Sequence, residues 1–407
     1  MNILLINHYA GSPRHGMEYR PYYLAREWVK AGHDVRIVAA SYSHVRSRQP
    51  ETTEERIDGI AYSWLLTPPY SGNGVDRVLN ILAFLKQVWR DAAHWANEFR
   101  PDVVIASSTY PMDIYVARKI ARLANAKLVF EVHDLWPLSP IELAGMSPRH
   151  PWALLCQKAE DDAYRDADVV VSMLPKVADH MAARGLDLRK LHIVPNGISP
   201  EEWVGEFAPL DAALAADIVA QRQLGRYVIG YAGSHGLPNA LDVLLDAAAR
   251  LKNEPFSFLL VGDGHEKVRL AKRVHDETLD NVALHSSIPK ALIPSLLRKF
   301  DVAYIGWQRV PIYRFGIAPN KLMDYMMAGC VVLHSVEAGN DPVAEAGCGL
   351  TVTPESPDAV VAGLRQLLSL SASERRIMGE RGRAFVQKHH TYPVLASRFI
   401  RSVETTR

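Results

Sequence analysis

The chain has 407 residues, 48% of them hydrophobic and 22% charged, ordinary globular values that exclude disordered and fibrous classes. That length exceeds a single ordinary core and suits two domains of roughly 150 to 200 residues each. A formal charge of +1 without a long run of one sign argues against nucleic acid as the main partner, and three widely spaced cysteines, Cys156, Cys330 and Cys348, argue for a reducing compartment and against a zinc site.

In chain order, MNILLINHYAG has an apolar run with no basic region before it and no cleavage site, so residues 3–6 read as the buried first strand of a cytoplasmic protein. No stretch approaches 18 apolar residues, so membrane contact is expected only as peripheral contact, at the inner face of a plasma membrane. A glycine-bearing loop leads to an amphipathic helix near 19–30, closed by Gly32, and VRIVAA resumes an extended pattern. Segment 75–100 spaces Leu79, Leu82, Leu85, Val88, Trp89, Ala92, Trp95 and Phe99 as a helix would. It reads first as a core-facing helix with a solvated back. A second reading sets Arg77, Lys86 and Arg90 among aromatic rings at a membrane interface.

Apolar runs at 103–106, 128–132, 169–172 and 192–195, mostly separated by helical stretches, predict a parallel sheet covered on both faces. The second half repeats the scheme, with a strand ending in a glycine loop at 227–236 and further runs at 256–264, 281–285, 301–306, 331–334 and 349–353. Between the halves, the stretch around 200–225 lacks a strand signal and carries only a short alanine-rich helix. The expected layout is an N-terminal domain over 1–205, a linker over 206–225 and a C-terminal domain over 226–389, with a helix at about 390–407 crossing back to the first domain. The predicted class is α/β: two doubly wound Rossmann-like domains facing each other across a cleft, with ligands beyond the carboxyl ends of the strands.

The residues just after strands are therefore the candidates. Gly11, Gly16 and Arg20 follow the first strand; without GxGxxG a dinucleotide site is weakly supported, and a plain turn competes. EVHDLWP sets Glu131, His133 and Asp134 at a strand exit, where an imidazole can contact a reacting hydroxyl or sugar, or simply pack. In YAGSHGLPN, Gly233 to Gly236 should form an open loop whose amides suit a diphosphate or a sugar hydroxyl, with Ser234 and His235 pointing into the cleft. Gly262, Asp263 and Gly264 of VGDGHEK would leave room for a flat ring, although turns favour the same residues. Asp166 and Asp168 precede a strand and read as a helix-to-strand loop, not a metal site.

RFGIAPNKLMDYMMAGC, residues 314–330, reads as a loop and a helix, with Pro319 in the first turn and Gly329 just past the end. Leu322, Met323, Met326 and Met327 cover a core, while Lys321 and Asp324 lie on another face. They form either a surface ion pair or a site for a phosphate linked to a diol.

The combination of VPNGISPEEW (194–203), VGDG (261–264) and FGIAPNKLMDYMMAGC (315–330) resembles the family 4 glycosyltransferases, retaining enzymes of the two-domain GT-B fold. The likeness is greatest to the branch of O-antigen and capsule enzymes that includes L-fucosamine transferases, and it runs from the first strand to about residue 370. It implies transfer of a hexose-type sugar from a nucleotide-diphosphate sugar, UDP being expected, to a lipid-linked or other saccharide acceptor of a bacterial surface polysaccharide. No cofactor and no metal are implied.

Carried across by that resemblance, Asp324 stands where the family binds ribose, and one carboxylate can accept from both hydroxyls of a vicinal diol. Lys321 would neutralise the diphosphate with help from the helix N-terminus, and His133 matches a histidine beside the donor sugar. Gly16 matches the glycine loop, and Gly11, Arg20 and Asp134 fall on the acceptor side. Two departures stand out. Gly316 replaces an acidic residue, which would pass sugar recognition to the backbone of Phe315, Gly316, Ile317 and Ala318, beside Asn320. GSHGLPN lacks the usual arginine and lysine, so phosphate binding would rest on Lys321, aided by Arg309 or Arg314. Two rival readings keep the donor site: a sugar-nucleotide epimerase or hydrolase, and a catalytically silent nucleotide-sugar binding protein.

Overall fold

The computed structural model describes residues 1–16, 19–72 and 74–405, so the last two residues of the expected C-terminal helix lie outside the described residues. The chain divides into two compact units, Met1–Asn196 with Tyr392–Arg407, and Gly197–Thr391.

The first unit is built on an eight-stranded sheet of β1 (Asn2–Ile6), β2 (Asp34–Ala40), β3 (Glu54–Ile57), β4 (Ile60–Leu65), β5 (Val103–Ala106), β6 (Lys127–Val132), β7 (Val169–Ser172) and β8 (Leu191–Ile193). Their order is β3-β4-β2-β1-β5-β6-β7-β8, parallel throughout except for the β3–β4 pair. Strands such as VVIA, and VVVS with its single terminal serine, are buried along their full length, as expected where helices cover both faces. The β3–β4 hairpin is an element that the periodicity reading passes over. It turns at Asp58-Gly59, both residues at positive φ (49° and 85°), the backbone that a two-residue hairpin turn needs.

The helix Arg20–Lys30 buries Tyr22, Tyr23, Leu24 and Trp28. Its partner is the helix Tyr392–Thr405: Tyr23 stacks on Tyr392 with ring centroids 4.7 Å apart, Trp28 meets Phe399 at 5.1 Å, and Trp28 Nε1 donates to the Ala396 carbonyl at 3.2 Å. Along Val75–Arg90, Ile81, Phe84 and Val88 face the core, and Ala92 and Trp95 continue that seam. Leu79, Leu82 and Trp89 depart from the core-facing expectation and stay 52%, 48% and 48% exposed.

The second unit carries β9 (Tyr227–Ala232), β10 (Phe256–Val261), β11 (Val282–His285), β12 (Val302–Gly306), β13 (Val331–Ser335) and β14 (Gly349–Thr351), in the order β11-β10-β9-β12-β13-β14, all parallel. Segment 206–225 is built into this unit: its helix Ala212–Gln223 puts Leu214 and Ile218 into the core, and the units divide at residues 196 and 197. The helix Asn320–Ala328 buries Leu322, Met323, Met326 and Met327 and ends at Gly329, whose φ of 78° gives the left-handed cap. Strand order reverses between β1 and β5 in one sheet and between β9 and β12 in the other. These are the crevices where open α/β sheets take ligands.

Candidate functional site

At the β1/β5 reversal, four side chains form one buried network. Arg20 Nε and Nη2 donate to Glu131 Oε1 at 3.0 and 2.9 Å, and the same guanidinium donates to the carbonyls of Pro195 (2.6 Å) and Val194 (2.8 Å). Ser107 Oγ donates to Glu131 Oε2 at 2.6 Å and stands 3.0 Å from His133 Nε2, which lies 3.3 Å from that carboxylate oxygen. Burial alone would raise the Glu131 pKa, but Arg20, followed by His133 and Ser107, holds it well below the usual carboxylate range. A fixed anion thus orients His133, which is 8% exposed, with Asp134 exposed beside it.

The expected acceptor role of Arg20 does not fit its surroundings. It is 4% exposed and spent on Glu131 and two carbonyls, so it positions and does not present itself to a ligand. Gly11 is buried, its carbonyl accepting from Tyr62 Oη at 3.1 Å. Gly16 has φ of 79°, and a Cβ there would lie 2.4 Å from Ser47 Oγ, so only glycine fits that turn. Sequence reasoning missed Ser107, and with it Asn7, whose Nδ2 donates to the Ser107 carbonyl at 2.6 Å. Both directly follow apolar strands, the signal that would have found them.

In the second unit, Lys321 Nζ reaches Tyr231 Oη at 2.9 Å and Asn239 Oδ1 at 2.6 Å, and lies 3.1 Å from where a Cβ on Gly233 would be. Burial lowers its pKa to about 8. Asp324, one turn on, lines a cavity of about 170 Å³ with Glu202, Trp203, Lys290 and Ile293. Burial raises its pKa to about 7, with Lys290 pulling it down and Glu202 pushing it up. No ion pair among the described residues joins Lys321 to Asp324, which removes the surface-pair reading. The amine serves the glycine loop after β9, and the carboxylate a neighbouring pocket.

The other predicted donor-side residues divide. Ser234 is exposed, its carbonyl accepting from Tyr231 Oη at 2.7 Å and Asn239 Nδ2 at 3.0 Å. His235 does not point outward: it is fully buried, both ring nitrogens lack a hydrogen-bond partner among the described residues, and burial lowers its pKa. Glycine is required at Gly262 and Gly264 by contact between loops, not by room for a ring. A Cβ on Gly262 would lie 1.8 Å from the Gly233 carbonyl oxygen, and one on Gly264 would lie 2.4 Å from that of His235; Gly236 is buried beside them. Asp263 is tied to Lys267 Nζ (2.6 Å), the Ser287 amide (2.8 Å) and Ser287 Oγ (2.6 Å), bonds that hold its pKa well below the ordinary value.

The backbone of 315–318 is less open than expected. The Gly316 amide donates to the Tyr313 carbonyl at 2.9 Å, and the Ile317 amide donates to Asn340 Oδ1 at 2.7 Å while its carbonyl accepts from Asn340 Nδ2 at 3.1 Å. Those two amides are therefore not available to a sugar. Arg314 lies over the Phe315 ring, 4.2 Å from its centroid, and Arg309 pairs with Glu337 at 3.3 Å. Ala318 is half-buried, and Asn320 is exposed at the first position of the helix.

Asp166 pairs with Arg118 and Arg165, and Asp168 accepts from the Leu128 amide. Among the described residues no group of three or more His, Cys, Asp or Glu side chains is placed to hold a metal ion, and no helix is long and apolar enough to cross a membrane.

A family model described as a glycosyl transferase 4-like domain matches residues 15–197, and one described as glycosyl transferases group 1 matches residues 226–370. WcaI of Escherichia coli (strain K12), named for glycosyl transfer in colanic acid biosynthesis, is 26% identical over 362 residues, 84% of this chain and 86% of WcaI. Among solved structures, sucrose-phosphate synthase (tll1590) from Thermosynechococcus elongatus matches with a TM-score of 0.75 at 17% identity over 98% of both chains. Anabaena Alr3699/HepE in complex with UDP matches at 0.69 and 14% identity over 100% of both. With these two family models in tandem on two parallel-sheet units of this topology, the chain is a glycosyltransferase of the GT-B type.

Proposed function

We propose that the protein moves a hexose-type sugar from a nucleotide-diphosphate sugar, with UDP as the nucleotide, to a lipid-linked saccharide of a bacterial surface polysaccharide, with retention at the anomeric carbon. The observation that carries the donor half is the divergence of Lys321 and Asp324: a half-buried amine against the glycine loop and a carboxylate in the adjoining pocket suit a diphosphate and a ribose diol. The sugar–diphosphate C–O bond breaks with its electron pair leaving on the diphosphate, whose charge Lys321 and the amino end of the Asn320–Ala328 helix stabilise. The acceptor oxygen bonds to the anomeric carbon on the face the diphosphate vacates, and its proton passes to a departing phosphate oxygen. His133, oriented by Glu131 and Ser107, is assigned to the sugar. The scheme uses no metal and no resident cofactor.

WcaI, named for colanic acid biosynthesis, and HepE, solved with UDP, support the choice of substrate class. Exposed Leu79, Leu82 and Trp89, with Lys86 among them, support peripheral contact with the membrane that would hold a lipid-linked acceptor. The test is radiolabelled UDP-sugar with and without a bacterial lipid-linked oligosaccharide extract. Label passing into lipid only when the extract is present supports transfer. Rapid donor loss without extract supports an epimerase or hydrolase, and donor binding with no turnover supports a silent binding protein.

A further inference from the structure

A cavity of about 480 Å³ lies in the second unit, within the roughly 300–1,000 Å³ typical of small-molecule sites. It sits at the amino ends of β9 and β12, the opposite end of the sheet from Lys321. The helix Ala212–Gln223 forms one wall and the turn of Arg298 and Lys299 before β12 the other. Leu210, Ala215, Ile218 and Val219 make the surface apolar, and Val219 is left 53% exposed.

The charge at the mouth is one-sided. Arg222, Arg298 and Lys299 line the cavity, and no carboxylate does. Arg222 is held by the Lys299 carbonyl at 2.9 Å and by Asp301 at 3.4 Å. Arg298 lies over the Phe207 ring, 4.3 Å from its centroid, and neither it nor Lys299 has an ion-pair partner among the described residues. Two unpaired cations over an apolar hollow complement an anion that carries an apolar body.

We propose that this cavity binds a single-chain amphiphile with a phosphate head, the chain against Leu210, Ala215, Ile218 and Val219 and the phosphate between Arg298 and Lys299. The site is separate from the donor residues and does not depend on the substrate assigned above. An uncharged chain would lose the charge-assisted hydrogen bonds, and inorganic phosphate would lose the apolar wall.

The test is titration calorimetry of the full chain with octyl phosphate below its micelle concentration, against octanol and inorganic phosphate. Octyl phosphate is expected to bind one per chain, at least about tenfold more tightly than either control. The double variant Arg298→Gln/Lys299→Gln is expected to weaken it at least about tenfold, and Val219→Asp, which sets a carboxylate in the wall, to abolish it. All three changes are at exposed positions, and a thermal melt matching that of the wild type would confirm that the variants are folded. Equal binding of octanol, equal binding of inorganic phosphate, or octyl phosphate affinity unmoved in both variants would overturn the proposal. Capture by phosphatidic acid vesicles without binding of monomeric octyl phosphate would also overturn it, by pointing to a flat headgroup contact.

Discussion

Replacing Arg20 by Met is expected to be the most damaging single change to the polar interior of the first unit. It removes two hydrogen bonds to Glu131 Oε1 and two to the carbonyls of Pro195 and Val194, leaving a 1% exposed carboxylate with only Ser107 and His133 beside it. Breaking one side of a buried pair costs about 3–5 kcal/mol, because the abandoned charge stays desolvated. Adding Glu131→Gln removes that charge and should recover about half of the loss. Urea denaturation followed by tryptophan fluorescence measures the loss, Trp28 and Trp64 being buried in this unit, with Trp203 and Trp307 of the second unit as the common background of all variants.

The pH dependence gives a second check. In the wild type the folded Glu131 pKa lies below its unfolded value, so its contribution is complete above the unfolded value of about 4.3 and is lost as pH falls through the folded pKa. Without Arg20, burial dominates and raises that pKa, so the variant binds a proton on folding. The gap between wild type and variant should therefore shrink from pH 7 toward pH 4. A cost under about 1 kcal/mol, or a gap independent of pH, would refute the reasoning.

Nucleotide affinity, measured calorimetrically with UDP, should peak between about pH 7 and 8. Below that window Asp324 protonates and stops accepting from ribose, and above it Lys321 loses its charge; a flat profile would contradict the assignment. Asp324→Ala should weaken UDP binding about tenfold or more, while Lys321→Ala should lower turnover roughly 10²-fold or more, as for lost charge-stabilising donors. Gly262→Ala should lose UDP binding and soften the second unit in a thermal melt, because its Cβ would meet the Gly233 carbonyl oxygen at 1.8 Å. Ala240→Gly should be neutral to about 1 kcal/mol stabilising in urea, since Ala240 has φ of 47°, where an L side chain is strained and glycine is not.

The parallel strands were legible because apolar runs such as VVIA, FSFLLV and VVLH need no partner to declare themselves. The β3–β4 hairpin was not, since EERI is mostly charged, IAYSWL breaks its apolar run at Ser63, and only the Asp58-Gly59 turn marks the pair. Helical spacing showed that segment 75–100 is amphipathic but not which stripe is buried. Leu79, Leu82 and Trp89 make as good an apolar stripe as Ile81, Phe84 and Val88, and the choice of the latter is made by neighbours far away in sequence. At the site, the Lys321–Asp324 spacing was readable while their divergence was not, because it depends on Tyr231 and Asn239 on one side and Lys290 and Glu202 on the other. His235 and Arg20 were misread for the same reason. A polar side chain next to a strand exit turns inward or outward according to partners that no local pattern names.

The union of Tyr23 and Trp28 with Tyr392 and Phe399 joins segments that a ribosome delivers far apart in time. Throughout most of synthesis the first unit has an uncovered greasy trough where residues 392–405 will later lie, while the whole of the second unit emerges and can close by itself in the interval. Nascent chains stalled before residue 392 should therefore be the species that chaperones hold, and a short peptide copied from the last helix should compete for that trough.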